Sequence, residues 1–339
     1  MPNYSRTDQL LHQIALGSNI VAEVSFDLER QLFSSVPPRR DAIYVTGLAR
    51  AGTTTLMRGL YESGEFSSLT YDDMPFVLAP NLWQKLSRIQ KRKRTSQERA
   101  HGDGIYVDFD SPEALEEVFW RIHCQNEYIR EGQVWKHEVD SDTISALKHY
   151  QNIICYRYGK PRYLAKNNNH IFRIRSLSEA LPDTHFLILF RHPVAQAQSL
   201  LQQHKKFIDT DAFTRRYMTW LAHHEFGATH LPFNMSEYGK SHANPFELQY
   251  WIDQWTNVYT YLTGVLEESR LNLVPVSYEK LCNEPSYWAW LCNRLDVPNK
   301  PSPFRRSEEE NYHELHVDID RALAVHQKLV KFSAQVASV

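Results

Sequence analysis

The stretch AIYVTGLARAGTTTL, residues 42–56, decides how this chain folds. Its first five residues are apolar, aromatic or β-branched, which is typical of a short buried strand. Gly47 follows at once, and a helical pattern runs from about Thr54 to Ser63. A strand, a glycine-containing loop and a helix in this order predict the opening unit of an α/β domain.

The loop between that strand and helix has the glycine spacing GxxxxG of a phosphate-binding loop, from Gly47 to Gly52. Glycines let the backbone turn tightly, so that N–H groups and the helix N-terminus point at an anion. Thr53 stands where nucleotide triphosphatases carry lysine, while Arg50 offers a permanently charged, planar donor. The loop therefore predicts a phosphate-sized anion and disfavours ATP. The alternative is an ordinary strand-to-helix turn in which Thr53 caps the helix.

A second candidate anion site follows the run HFLILF, residues 185–190, which predicts another buried strand. Arg191 comes directly after this run, Pro193 marks a helix start, and Ser199 lies in that helix. Ligands of open α/β folds bind at the carboxyl ends of parallel strands, so Arg191 and a helix hydroxyl can hold an anion there. Taken alone, the pair is more typical of a surface salt bridge and a solvated helix residue.

Together the two motifs resemble a known family. Residues 47–56, GLARAGTTTL, resemble the 5′-phosphosulfate loop of sulfotransferases that use 3′-phosphoadenosine 5′-phosphosulfate (PAPS), and residues 190–199, FRHPVAQAQS, resemble their 3′-phosphate motif. Weaker matches at Tyr163 to Asn167 and at Val276 to Pro285 extend the resemblance over about residues 42–297. The resemblance implies PAPS as the sulfuryl donor and adenosine 3′,5′-bisphosphate (PAP) as the product.

The resemblance also assigns residues to the donor. The 5′-phosphosulfate is implied to bind Arg50, Gly52, Thr53, Thr54 and Thr55, and the 3′-phosphate to bind Arg191 and Ser199. Cytosolic steroid and phenol sulfotransferases carry lysine at the Arg50 position and a Gly-rich RKG motif that we do not find here. Arg305 and Arg306 are candidates to replace that motif, or are solvated loop charges. The loop arginine resembles carbohydrate and protein-tyrosine sulfotransferases, and the lack of an N-terminal membrane anchor suggests a soluble bacterial-type member.

Further strands are predicted at 66–71, 163–165 and 271–276, each followed by a turn, and Pro75 is expected to start a helix. This alternation predicts an α/β, P-loop-like three-layer fold with a central parallel sheet flanked by helices. We expect one sulfotransferase domain over residues 1–339, with a core at about 42–297 and helical insertions at about 74–160 and 205–270. Apolar residues at helical spacing within 245–270 predict a core-facing stripe: Leu248, Trp251, Ile252, Trp255, Val258, Tyr259, Leu262, Val265 and Leu266.

The composition of the chain argues against several classes of function. The 339 residues carry a formal net charge of −2, so no whole-protein basic field favours nucleic acid or an anionic membrane. The N-terminal residues 1–20 mix charges with apolar residues, unlike a signal peptide or a membrane span. The four cysteines lack metal-ligand spacing, which argues against zinc and a disulfide framework. We expect a cytoplasmic protein with no stable membrane insertion, no nucleic-acid partner and no metal.

The chemistry that the resemblance implies is in-line, metal-independent transfer. Arg50 and the loop N–H groups are expected to stabilise the developing charge, with help from Lys166 at the adjacent strand end. For the base, the resemblance points to Asp73, or its neighbour Asp72, just beyond the second strand. Asp73 equally fits a helix cap before Pro75. Alternative polar groups are His137, Glu138 and a cluster formed by His101, Asp103, Asp108 and Asp110.

The acceptor is expected to bear a hydroxyl, and a carbohydrate is favoured. The run RIQKRKR from Arg88 to Arg94 carries five positive charges, which suit an acidic polysaccharide or else form a solvated helix face. Two other functions are open from the sequence. One is a P-loop small-molecule or nucleoside kinase that uses ATP and Mg²⁺, which Thr53 opposes. The other is a non-catalytic nucleotide-binding homologue.

Overall fold

The computed structural model describes residues 6–37, 39–87, 97–98, 106–107, 114–235, 243–268, 272–305 and 317–337. Its helices are α1 (Arg6–Gly17), α2 (Asn19–Leu32), α3 (Thr53–Tyr61), α4 (Pro80–Ser87), α5 (Glu117–Tyr128), α6 (Ser141–Tyr158), α7 (Ile174–Ala180), α8 (Pro193–Ile208), α9 (Ala212–Trp220), α10 (Leu248–Glu267), α11 (Tyr278–Asn283), α12 (Pro285–Arg294) and α13 (Asp320–Ala337). Its strands are β1 (Ile43–Thr46), β2 (Phe66–Ser67), β3 (Gln97–Glu98), β4 (Tyr106–Val107), β5 (Ile129–Arg130), β6 (Gln133–Trp135), β7 (Arg162–Lys166), β8 (His185–Phe190), β9 (Phe233–Asn234) and β10 (Leu273–Ser277). Single 3₁₀ turns lie at Tyr71–Asp73, Asn168–Phe172 and Gly227–Thr229.

The central sheet is parallel throughout the described residues, with the strand order β10-β8-β1-β7-β2. Strand β1 lies in the middle, where Ile43 pairs with Leu164 of β7 on one side and His185 of β8 on the other. Parallel strands end at the same edge of their sheet, so the residues that follow β1, β7, β8 and β10 meet there. The predicted α/β class with a central parallel sheet is confirmed.

Alternating residues of β1 face two separate cores, because successive side chains of a strand point to opposite faces. Tyr44 joins a large cluster with the helices α5, α6, α8 and α10. Ile43 and Val45 join a second cluster with Met57 of α3 and Leu291 of α12. All of these residues are fully buried. Burial on both faces produces the three layers that the sequence pattern predicts.

Helix α10 confirms the predicted core-facing stripe of residues 248–266. The stripe residues from Trp251 to Leu266 are buried, and Leu248 packs against the same cluster. Trp251 and Trp255 are therefore core residues and do not form an exposed stacking platform. The indole N–H of Trp255 donates to Oε1 of Gln196 on α8 at 2.9 Å, which satisfies its polar atom inside the core.

The second strand is shorter than predicted, and the helix that was expected at Pro75 begins later. The strand β2 ends at Ser67, and a capping box forms around Thr70. Its hydroxyl accepts from the N–H of Asp72 at 3.2 Å, while the carboxylate of Asp73 accepts from the N–H of Thr70 at 2.9 Å. These bonds stabilise the 3₁₀ turn at Tyr71–Asp73, where the sequence predicted the end of the strand and the turn after it. Helix α4 starts only at Pro80.

The segments predicted as insertions supply a small second sheet. Strands β5 and β6 form an antiparallel hairpin, and β9 pairs in parallel with β6. Between α9 and β9 the chain passes through the 3₁₀ turn at Gly227–Thr229, which packs against α8. This path carries residues 222–226 to the carboxyl edge of the central sheet. Among the helices that the structure describes, none has both the length and the apolar character needed to cross a membrane.

Candidate active site

The loop after β1 takes a path that its glycines make possible. Gly47 has a φ of 132°, and a Cβ there would lie 2.3 Å from the carbonyl oxygen of Leu189. Gly52 has a φ of 92° and stands at the N-cap of α3, with no side-chain cap over the helix start. Arg50 also has a positive φ of 70°, which is uncommon for a residue with a side chain. The loop thus leads into an uncapped helix N-terminus of the kind that binds anions.

Helix α8 contacts the backbone of this loop through the side chain of Gln196. The amide Nε2 of Gln196 donates to the carbonyl oxygens of Leu48 at 2.9 Å and Ala49 at 3.0 Å. Gln196 is fully buried, and Trp255 supports its other side-chain atom. Buried carbonyls must be paired, so this amide fixes the loop backbone as well as joining the two motifs. The fold therefore holds the loop backbone through hydrogen bonds from α8.

A cleft of about 380 Å³ opens beside this loop. Residues that the sequence assigned to the donor or to catalysis line it: Arg50, Gly52, Thr53, Thr54, Thr55, Lys166 and Arg191. Arg305 lines it as well, and the lining includes a single carboxylate, Glu225, among the residues that the structure describes. Four cationic side chains around one cleft favour a ligand that carries several negative charges.

The two predicted phosphate motifs are in direct contact. The Nε of Arg50 donates to the Oγ of Ser199 at 3.0 Å, although Ser199 is not itself among the residues that line the cleft. The guanidinium of Arg191, directly after β8, lies 5.0 Å from the ring centroid of Tyr278. Tyr278 packs so closely on Gly52 that a Cβ at Gly52 would approach its ring to 2.5 Å. Tyr278 follows β10, so three strand ends build this part of the cleft.

Lys166 ends β7 and lines the same cleft. Its neighbour in the cleft is Glu225, whose charge it stabilises. Burial by itself raises the pKa of Glu225, but the nearby His223 and Lys166, together with a hydrogen bond from Asn168, outweigh burial and lower it. Glu225 is therefore an ionised carboxylate inside a mostly cationic cleft.

Asp73, the first candidate for the base, lies outside the lining of this cleft. It is fully buried, does not line the cleft and caps the turn before Met74. Its Oδ2 accepts from the hydroxyl of Tyr158 at 2.5 Å, and its Oδ1 lies 3.6 Å from Nε of Arg157. Burial raises the pKa of Asp73 to about 6, although these partners and the N–H of Thr70 favour its charged form. Asp72 is likewise absent from the cleft lining. Asp73 caps the 3₁₀ turn at Tyr71–Asp73 and not a helix at Pro75, because α4 begins only at Pro80.

The other candidate bases either do not line the cleft or lie outside the described residues. His137 stacks on Tyr128 with ring centroids 4.9 Å apart, and burial lowers its pKa to about 3. Glu138 is exposed, and neither residue lines the cleft. The remaining predictions lie outside the described residues: the run from Arg88 to Arg94, His101, Asp103, Asp108, Asp110 and Arg306.

Sequence reasoning missed several residues that line the cleft. His223 and Glu225 come from the chain after α9, with Nδ1 of His223 3.7 Å from Oε2 of Glu225. The Nδ2 of Asn168 donates to Oε1 of Glu225 at 3.0 Å, and the Oγ1 of Thr53 donates to Oδ1 of Asn168 at 3.4 Å. The available signal was the adjacent pair His223-His224 followed by an acid, which matches no spacing rule. Their position depends on a long connection that only the fold defines.

Comparison with known proteins agrees with this geometry. The family described as the sulfotransferase family matches residues 42–233, more than half of the chain. The match includes the loop after β1, the strand end at Arg191 and the segment with His223. No curated protein matches the chain.

Solved structures provide the second comparison. Sulfotransferase STF9 from Mycobacterium avium has 12% sequence identity and a TM-score of 0.51, over 99% of this chain and 87% of that one. This likeness supports the α/β fold. Sulfotransferase STF1 from Mycobacterium tuberculosis H37Rv has 13% identity and a TM-score of 0.44, over 96% of this chain and 81% of that one. A sulfotransferase from Alicyclobacillus acidocaldarius has 15% identity and a TM-score of 0.37, over 88% and 92% of the two chains. On the family match, which covers most of the cleft, this chain belongs to the sulfotransferase family.

Proposed function

We propose that this protein transfers a sulfuryl group from PAPS to an acceptor hydroxyl. The observation that carries the proposal is the hydrogen bond from Arg50 to Ser199, because it joins the two phosphate motifs at one cleft. PAPS presents a 5′-phosphosulfate and a 3′-phosphate, so its binding needs two anion sites on one surface. A cleft with Arg50, Lys166, Arg191 and Arg305 in its lining suits such a ligand.

The two ends of the donor would bind different strand ends. The 5′-phosphosulfate would be held by Arg50, Gly52, Thr53, Thr54 and Thr55, where an uncapped helix start adds backbone donors. The 3′-phosphate would be held by Arg191, which lines the cleft, and by Ser199, whose hydroxyl accepts from Nε of Arg50. Tyr278 supports both ends, since it packs on Gly52 and under Arg191. Arg305 is a further partner for either anion.

The chain's cations have a clear task in such a transfer. The donor supplies an activated sulfuryl group, and negative charge grows on the bridging oxygen as the sulfur–oxygen bond breaks. Arg50 and Lys166, which both line the cleft, would stabilise that charge in a site already organised by Gln196. The acceptor is a hydroxyl compound. We propose a carbohydrate, because an arginine in this loop resembles the loop of carbohydrate sulfotransferases.

Transfer from ³⁵S-labelled PAPS to a panel of hydroxyl compounds tests this proposal. The panel contains neutral and acidic sugars, a phenol and an aliphatic alcohol, and a parallel set receives γ-³²P-labelled ATP with Mg²⁺. We expect labelled sulfate esters from PAPS and no labelled phosphate esters from ATP. Phosphate transfer would establish the kinase function instead. PAPS that stays intact with every compound, water included, would establish a non-catalytic homologue.

A further inference from the structure

Sulfuryl transfer to a hydroxyl requires a group that takes the acceptor's proton. Among the residues that the structure describes, the cleft lining includes a histidine and a carboxylate that lie side by side. His223 is about one-fifth exposed and lies in the cleft beside the buried Glu225. Asp73 and His137, the candidates from the sequence, do not line the cleft. Lys166 also lines it, but its charge beside Glu225 suits stabilisation of anions better than uptake of a proton.

Several backbone groups around His223 are hydrogen-bonded. The N–H of His223 donates to the carbonyl of Met218 at 2.9 Å, and its own carbonyl accepts from the hydroxyl of Thr229 at 3.3 Å. The carbonyl of Ala222 accepts from Nδ2 of Asn169 at 3.1 Å. Ala222 itself has a φ of 48°, a left-handed conformation that costs roughly 1 kcal/mol or more for a residue other than glycine. The fold thus maintains a strained turn that directs His223 into the cleft.

Glu225 connects His223 to Thr53, at the end of the loop after β1. Its Oε1 accepts from Asn168, which accepts in turn from Thr53 at the start of α3, while its Oε2 faces Nδ1 of His223. Asn168 directly follows the strand-end residues Lys166 and Asn167, so this chain of contacts runs along the sheet edge. A carboxylate beside Nδ1 favours the tautomer with its proton on Nδ1, which leaves the Nε2 lone pair to accept a proton.

We propose that His223 is the general base of the transfer and that Glu225 is its positioning residue, an inference that rests on the proposed use of PAPS. The acceptor oxygen forms a bond to sulfur, and the bond from sulfur to the 5′-phosphate oxygen breaks. The electron pair of that bond stays on PAP, and the acceptor's proton passes to Nε2 of His223. The resulting imidazolium is stabilised by Glu225 and later loses its proton to water.

The test compares His223→Ala with wild type and with His149→Ala, which removes an imidazole from α6 outside the cleft. Calorimetric titration with PAP measures the donor site of each protein. Release of PAP from PAPS is then measured with the same hydroxyl panel, and water is present throughout as the fallback acceptor. Added imidazole tests whether a diffusible base replaces the missing side chain in His223→Ala.

We expect His223→Ala to bind PAP within about twofold of wild type and to lose roughly 10²- to 10⁴-fold in kcat, as removal of a general base does. Imidazole restores part of that loss, while His149→Ala keeps wild-type turnover. Glu225→Gln lowers kcat by a smaller factor, because it weakens the orientation of the base and the stabilisation of the imidazolium while the base itself remains. Turnover of His223→Ala near that of wild type overturns the inference. Loss of turnover that comes with a loss of PAP binding and that imidazole does not rescue overturns it too. A wild type that binds no PAP overturns the proposed function itself.

Discussion

Arg50 combines a left-handed backbone with a side chain that bridges two motifs, at the point where the donor's reacting group is proposed to bind. Its guanidinium lines the cleft and donates to Ser199, which fixes the direction of the charge. Fixed charges of this kind act on the transition state without reorganisation. The proposed chemistry therefore depends on four side chains: Arg50, His223 and the strand-end cations Lys166 and Arg191.

Arg50→Ala should reduce turnover with PAPS by about 10²- to 10³-fold, the loss typical when one preorganised charge-stabilising group is removed. Steady-state release of PAP measures it. Arg130→Ala is the matched control, because Arg130 is an exposed arginine on β5 outside the cleft. Near-normal turnover of Arg50→Ala would reject the role given to the loop arginine.

Asp73→Asn should change how stability depends on pH. The pKa of Asp73 is about 6 in the fold against 3.8 ordinarily, so between those values the folded chain holds a proton that the unfolded chain has lost. The stability that Asp73 contributes is therefore present below about pH 4 and is lost as pH rises through 6. The difference amounts to about 3 kcal/mol in wild type and is absent in the variant. Urea unfolding of both proteins from pH 4 to pH 7 measures it, and a constant difference between them would contradict the buried cap.

At this scale the sequence identified cleft-lining residues in the loop after β1 and at two further strand ends, Lys166 and Arg191, and missed His223 and Glu225. Arg50 and Arg191 are readable because each follows a buried strand at a motif spacing, and strand ends of one parallel sheet must meet. Asp73 fits a cap and a base equally from sequence, and in the structure its buried carboxylate accepts from the N–H of Thr70 and does not line the cleft. His223 has no such marker, because its place depends on how the connection after α9 returns to the sheet.

At the scale of elements, the unit formed by β1, its loop and α3 requires a residue without a side chain where Tyr278 packs on Gly52. Gly52→Ala should weaken PAP binding by at least tenfold, since the new Cβ would meet the ring of Tyr278 at 2.5 Å and displace it from beneath Arg191. Gly64→Ala is the matched control: its φ of 85° resembles the 92° of Gly52, but nothing lies within 4 Å of its Cβ. Both variants carry the roughly 1 kcal/mol strain of a positive φ. Equal PAP affinities in calorimetry would show that the Tyr278 contact is unimportant.

Helix α8 should contribute strongly to the stability of the loop through one side chain. Gln196→Met keeps the volume but leaves the carbonyls of Leu48 and Ala49 and the indole N–H of Trp255 without their partner. Buried groups left unpaired in this way cost about 2–4 kcal/mol of unfolding free energy together. Chemical denaturation measures the loss. Gln202→Met, at an exposed position of the same helix, should stay within about 0.5 kcal/mol of wild type.

Elements with a strong period were predictable, and elements ended by side-chain capping were not. The strand at residues 185–190 has the predicted bounds, and the apolar stripe of α10 is buried as its spacing indicates. The strand from Phe66 ends four residues before the predicted bound, and a capping box of Thr70 and Asp73 forms a 3₁₀ turn where the strand was expected to end. The following helix begins at Pro80 and not at Pro75, which no hydrophobic period reveals.

At the scale of the whole molecule, the parallel sheet brings together residues that are far apart in the chain. Arg50 and Ser199 are in hydrogen-bond contact across the strands β1 and β8, which are direct neighbours. The sequence predicts that both motifs lie at the carboxyl edge of one parallel sheet, because parallel strands present the loops that follow them at one edge. Strand order and the path of the second half of the chain required the structure, since they depend on long-range packing that no local pattern encodes.

The central claim is that one cleft recognises both anionic ends of PAPS, and calorimetric titration with PAP tests it most directly. Adenosine 5′-monophosphate, which lacks the 3′-phosphate, and ATP with Mg²⁺ are the controls. We expect PAP to bind at least tenfold more tightly than either control, and Arg191→Ala to remove the advantage over adenosine 5′-monophosphate. Equal affinity for PAP and adenosine 5′-monophosphate, or a preference for ATP with Mg²⁺, would contradict the account.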